Sequence, residues 1–152
     1  MEITVNDLKA ALVEAAPTAQ IQIVGQNSQT TYNPNNHRWT GNLTFNLASM
    51  YKIKVNSDCE ITLQGDPVDP ADHPYAINQA NNWIAFPLNQ DMTLADAFAG
   101  FAVQGDQLNS QTGGSVYARR WQGSVSTLQP GKGYVYKAAS GSRTLVFPTS
   151  AK

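Results

Sequence analysis

The densest set of groups able to do chemistry is Asp66, Asp69, Asp72 and His73. Oxygen and nitrogen donors that close together raise calcium first, which needs six to eight converging oxygens and usually a glycine for the sharp turn. Pro67, Pro70 and Pro74 interrupt the stretch instead and spread its carboxylates along an extended chain. No metal and no cofactor is therefore expected. A second set pairs an indole with a guanidinium, Arg38-Trp39 and Arg120-Trp121, with Tyr117 just upstream of the latter. An aromatic face with polar donors beside it can hold a sugar ring, so Arg38, Trp39, Tyr117, Arg120 and Trp121 are the candidate ligand-binding residues. Because the two tryptophans stand at matching places in the two halves, a shared packing role is the simpler explanation.

The remaining reactive side chains form no catalytic pattern. Gly131-Lys132-Gly133 lacks the Gly-x-x-x-x-Gly-Lys-Ser/Thr spacing of a phosphate loop and precedes a strand rather than a helix. There is no Gly-x-Ser-x-Gly elbow and no His-Glu-x-x-His. Cys59, the only cysteine, alternates with Ile61 and Leu63 and reads as a small core residue. A nucleophilic Cys–His pair with His37 or His73 would lack a third, orienting group. The expectation is a protein without catalytic residues, not an enzyme.

Bulk properties point the same way. Charged residues make up 14% of the chain, against about 25% in an average globular protein, and the net charge is −1. That balance gives no electrostatic basis for binding nucleic acid or an anionic membrane. No apolar run approaches the roughly 20 residues of a membrane-spanning helix. Met1-Glu2-Ile3 lacks the basic and apolar regions of an export signal.

The elements that would position these residues follow from local pattern. Thr4 and Asp7 make a weak capping box ahead of a helix whose Val5, Leu8, Ala11, Leu12 and Ala15 share one face, ended by Pro17. Strands are predicted at Gln20–Val24, Gln29–Tyr32, Trp39–Phe45 and Tyr51–Val55, with a last one carrying Cys59, Ile61 and Leu63. Tyr51, Ile53 and Val55 are expected to face one way, with Lys52 and Lys54 facing the other. Asp66–Tyr75 reads as a stiff extended connector. Trp83–Leu88 is a continuous apolar run suited to a central strand, buried on both faces. A second helix is expected from Thr93, burying Leu94, Phe98 and Phe101. Arg120–Lys137 reads as a β-hairpin closed by Gln129-Pro130-Gly131-Lys132-Gly133, where Pro sets φ and Gly accepts the positive φ that follows.

The second half of the chain echoes the first. Thr93-Leu94-Ala95-Asp96 follows Thr4-Val5-Asn6-Asp7, Trp121-Gln122-Gly123 follows Trp39-Thr40-Gly41, and Tyr134-Val135-Tyr136-Lys137 follows Tyr51-Lys52-Ile53-Lys54. The offset runs from 85 (Tyr32 to Tyr117) to 82 (Trp39 to Trp121), a signature of internal duplication. The expected fold is α+β, mainly antiparallel β, as two pseudo-repeats, each one short helix plus a β-meander. The first would occupy 1–65, a Pro-rich linker 66–82 and the second repeat 83–152. Only the second copy has a strand ahead of its helix, which suggests a piece cut from a longer chain.

Asn82-Trp83-Ile84-Ala85-Phe86-Pro87-Leu88, Trp121-Gln122-Gly123 and Leu128-Gln129-Pro130-Gly131-Lys132-Gly133-Tyr134 together resemble a tandem repeat module of secreted and cell-surface proteins of Bacteroidetes, gut bacteria among them. The stretch Asp69–Pro74 is similar to that family's link between copies, whereas Leu47-Ala48-Ser49-Met50 departs from it by lacking the Pro-Gly turn. The resemblance implies a non-catalytic extracellular module of a bacterial surface protein, serving adhesion, protein recognition or spacing. Its partners would be an unknown protein or glycan and other repeats of a parent chain. A glycan-binding module built on Trp39 and Trp121 is the alternative.

Overall fold

Residues 4–45, 49–63 and 69–149 are described by a computed structural model of the chain. They form two units: residues 4–45 with 51–63, and residues 49–50 with 69–149. The described residues are mainly antiparallel β with two α-helices.

In the first unit, helix α1 spans Val5–Ala15. The Thr4 hydroxyl accepts the Asp7 N–H at 3.2 Å, and the Asp7 carboxylate accepts the Thr4 N–H at 2.9 Å, so the predicted capping box is complete. The Thr4 N–H and the Thr4 hydroxyl both donate to the Asp7 carboxylate and hold it below its ordinary range. Leu8 and Leu12 are the helix's buried residues. They cover a sheet of β1 (Ile21–Val24), β2 (Gln29–Asn33), β3 (Arg38–Asn42) and β4 (Lys52–Val55), ordered β3-β2-β1-β4. Alternation sends Ile21, Ile23 and Tyr32 into this core, while Gln22 and Lys54 sit on the opposite face.

The second unit begins with a 3-10 turn, Pro70–Asp72, followed by β5 (Tyr75–Ile77), β6 (Ala80–Ala85), β7 (Met92–Thr93) and helix α2 (Leu94–Ala97). The chain then forms β8 (Gln107–Asn109), β9 (Gly114–Ala118), β10 (Arg120–Gly123), β11 (Thr127–Leu128), β12 (Gly133–Ala138) and β13 (Arg143–Leu145). The main sheet is ordered β10-β9-β8-β12-β6, and β11–β7 and β13–β5 are separate ladders. Its core stacks Phe86, Phe98, Phe147 and Tyr136 with ring centroids 5.0–5.8 Å apart.

Several expectations are corrected. Arg120–Lys137 is not a hairpin: β10 pairs with β9, and β12 pairs with β6 and β8. The Pro-Gly turn itself forms, with Gly131 at φ 75° and the Lys132 N–H donating to the Gln129 carbonyl, but it joins β11 to β12. The described part of the expected linker, residues 69–82, is built into the second unit, since β5 pairs with β13 and Asn82 lies in β6. Trp83–Leu88 is not a central strand, because β6 is last in its sheet's order and ends at Ala85. Residues 59–63 form no strand; Cys59 is exposed rather than in the core. Ile53 and Val55 lie opposite buried Ile23 and Ile21, on the same face as expected, although Ile53 stays 43% exposed. The second helix is a single turn, although Leu94 and Phe98 are buried as expected. Residues 1–3, where a first opening strand was in question, and Asp66 lie outside the described residues.

Both Trp-x-Gly segments have the same physical reason. Gly41 has φ 87° and Gly123 φ 147°, a region costly for any side chain. A Cβ on Gly41 would sit 2.5 Å from the Gln29 carbonyl oxygen, and one on Gly123 would sit 2.3 Å from that of Gly114. Each glycine lets a strand press onto its neighbour's backbone two residues after the tryptophan. Gly131 also has positive φ but opens onto empty space. Gly41→Ala and Gly123→Ala are each expected to lower unfolding free energy by about 2–3 kcal/mol, and Gly131→Ala by about 1 kcal/mol. Urea denaturation of the three variants checks the ranking.

Candidate functional site

The sequence candidates fall into two places, one per unit. Trp39 on β3 is the register partner of Tyr32 on β2, with ring centroids 5.3 Å apart. It lies on the helix side of the sheet, and the Lys9 ammonium stands 5.1 Å from the centre of its ring. Arg38, next to it, is exposed. In the second unit Trp121 on β10 is the partner of Tyr117 on β9, at 5.4 Å, and packs against Phe98 at 5.5 Å. Arg120 is exposed beside it. Both indoles are half-buried and belong to the margins of their cores. The structure thus brings Tyr117 together with Trp121, and sets Arg38 and Arg120 at the solvent ends of their strands.

Of the described carboxylates considered for calcium, Asp69 serves the backbone. Asp69 caps the 3-10 turn by accepting the Ala71 N–H at 2.9 Å. Among the described residues there is no group of three or more His, Cys, Asp or Glu side chains placed to hold a metal. The first unit has an open concavity of roughly 360 Å³ on the sheet face away from α1, lined by Gln20, Gln22, Thr31, Lys54, Val55 and Asn56. Neither tryptophan lines it.

One cluster was not foreseen. Asp106, directly before β8, has no exposed surface. Its carboxylate accepts hydrogen bonds from the Val103 N–H (3.1 Å), the Ala139 N–H (2.8 Å), the Tyr136 hydroxyl and the Arg143 guanidinium, which reaches both oxygens at 3.0 Å. Arg143 also donates to the carbonyls of Phe101 (2.8 Å) and Ser140 (3.2 Å), with its guanidinium 4.6 Å from the Phe101 ring. Burial pushes the Asp106 carboxyl up, but the bonds from Tyr136, Ala139, Val103 and Arg143 outweigh it and leave the group below its ordinary 3.8. Burial, then the bond to Asp106 and that carboxylate's charge, drive the Tyr136 phenol far above its ordinary 10.

A general base needs a reachable acceptor lone pair and a proton to take within hydrogen-bond distance. Asp106 has neither: it is sealed from solvent, and four neighbouring groups already donate to it. Its chemistry is to tie the segment before β8, the end of β12 and β13 into one network. The only sequence signal was that Asp106 alternates with inward-facing Leu108. Its meaning depends on Tyr136 and Arg143 arriving from 30 and 37 residues away.

No known family model, curated protein or solved structure matches the chain.

Asp106→Ala leaves Arg143 without its counter-charge and is expected to destabilise the protein by about 3–5 kcal/mol in thermal or urea unfolding. The pH dependence has a fixed sign. Because the folded-state pKa lies below the unfolded value, the stabilisation is complete above about pH 4 and is lost as pH falls through the folded pKa. The stability difference between wild type and Asp106→Asn should shrink below about pH 4 and stay constant from there to neutrality.

Proposed function

We propose that this chain is a non-catalytic recognition or spacer module of a bacterial surface protein, built as two copies of one unit. The observation that carries the reading is the correspondence of strand order, β3-β2-β1-β4 in one unit and β10-β9-β8-β12 in the other. It is supported residue by residue. Ile23 pairs with Ile53 where Leu108 pairs with Tyr136, and Tyr32 pairs with Trp39 where Tyr117 pairs with Trp121. Buried Thr30 and Ser115 lie opposite Gly41 and Gly123 in register, and each uses its hydroxyl on a backbone carbonyl, of Thr40 and Val125 respectively. Matching side chains therefore have matching packing duties, as copies kept for architecture would. The sealed Asp106 network fits the same reading, since a charge committed to holding loops is unavailable to a substrate.

The resemblance to Bacteroidetes surface repeats supplies the extracellular setting and the adhesive or spacing role. The glycan alternative draws on one feature, the partial exposure of Trp121 beside Tyr117 and exposed Arg120.

Surface labelling of intact producing cells with an antibody against residues 4–149 should be positive, and protease shaving should remove the signal. Detection only after lysis would refute the surface assignment. On a glycan array the wild-type chain is expected to give no hits that Arg120→Ala abolishes. Hits lost in that folded variant would move the reading to glycan binding.

A further inference from the structure

The two main sheets differ at one edge. In the second unit β12 lies between β8 and β6, and β6 pairs along it from Ala80↔Ala138 to Ala85↔Gly133. In the first unit β4 pairs with β1 on one side, and among the described residues no strand lies on the other. The hydrogen-bond phase says which backbone groups face outward there. The Asn56 N–H donates to the Gln20 carbonyl, so Lys54, two residues back and opposite Gln22, also points its backbone at β1. Ile53 and Val55 then turn their N–H and C=O groups to the outer edge. At the corresponding places in β12, Tyr136 and Ala138 face Asn82 and Ala80 of β6, and the Asn82 side-chain amide adds a bond to the Tyr136 carbonyl at 3.1 Å.

We propose that the outer edge of β4 is a strand-acceptor site for an uncharged extended segment of the β6 type, added antiparallel. Two observations select that occupant. Ile53 is 43% exposed, where its counterpart Tyr136 is fully buried beside β6, so an added strand has apolar surface to cover. Lys54 occupies the place of Lys137, whose partner in β6 is the neutral Asn81. A second copy of β4 is the poorer fit. Pairing Ile53 with Ile53 or with Val55 of another copy sets Lys54 opposite a lysine, and like charges directly opposite are destabilising. Addition of a strand to an open edge draws affinity from main-chain bonds and selectivity from alternate side chains. The choice of occupant rests on the correspondence of the two units proposed above, whereas the outward-facing groups of Ile53 and Val55 do not.

The test uses the whole chain and a fluorescein-labelled peptide of residues 78–88, with a scrambled peptide as control. Fluorescence anisotropy should show saturable binding of the native peptide at least tenfold tighter than of the scrambled one. Ile53→Pro removes the outward N–H while sparing the ladder to β1, a substitution an edge strand tolerates, and should weaken binding at least tenfold. If that variant fails to fold, amide exchange in the wild type decides: Ile53 and Val55 should slow at least tenfold when the native peptide is added. No preference over the scrambled peptide would overturn the proposal, as would self-association through β4 that excludes the peptide. Superposition of the units in an experimental structure tests their kinship separately, so the two ideas can fail independently.

Discussion

Backbone pressed against backbone at Gly41 and Gly123 is the constraint on which both sheets depend. At each site a strand comes so near its neighbour that a single methyl group would collide with a carbonyl oxygen. Register slips are therefore penalised by sterics as well as by burial, and a slip of one residue would send every side chain to the wrong face. With register held, Trp39 and Trp121 fall opposite Tyr32 and Tyr117 on the core side. The aromatic pairs then close the rim of each core where the sheet would otherwise end in exposed apolar surface. Lys9 completes this rim in the first unit and Phe98 in the second.

The two cores solve the inward position before the central pairing differently. Ile21 is paired with Tyr32, whereas the Asp106 carbonyl accepts the Tyr117 N–H. Both residues are fully buried. An isoleucine there needs only neighbours of suitable shape, whereas a carboxylate needs every lone pair met. The second unit meets that need with the longer loops around 99–106 and 139–143, whose backbone N–H groups and Arg143 converge on the charge. Such a network gives little net stability over an apolar core, yet it penalises any arrangement that leaves one member unpaired. Its value is to fix where two irregular segments lie.

Much of this was legible in the sequence, and the failures share a cause. The capping box at Thr4 and Asp7, the Pro130-Gly131 turn, and the strands around Ile21, Tyr32 and Ile53 are set by residues a few positions apart, so pattern and propensity located them. Partner choice is non-local. Trp121-Gln122-Gly123 and Tyr134-Val135-Tyr136 are neighbours along the chain with a good turn between them, but each found a better partner elsewhere, β9 for one and β8 with β6 for the other. The alternation of Cys59, Ile61 and Leu63 looked like a strand, yet alternation without a neighbouring ladder gives no reason to stay extended. Of the candidate site, the aromatic–basic pairs were visible from residue type alone. The Asp106 network was not, because a single aspartate in a β-prone stretch signifies nothing until its distant partners are known.

Edges explain why the first unit's sheet is the less self-sufficient of the two. Exposed strand edges invite pairing unless something discourages it. The β3 edge is guarded by its own sequence: Arg38, Thr40 and Asn42 are polar and Gly41 breaks the regular pleat. Gly123 does the same for β10 in the second unit. The opposite edge of the second unit is guarded by use. Tyr75 donates its hydroxyl to the Ala85 carbonyl at 2.8 Å, Met50 gives its N–H to the Trp83 carbonyl, and Ser49 bridges Ile84. Burial lifts the Tyr75 phenol to about 12, so that donor stays protonated through any physiological pH. Among the described strands only β4 combines regular strand geometry with an exposed isoleucine, and its lysines repel a like-charged strand without excluding a neutral one. That selectivity by charge is what separates an edge kept from aggregating from an edge kept open for a partner.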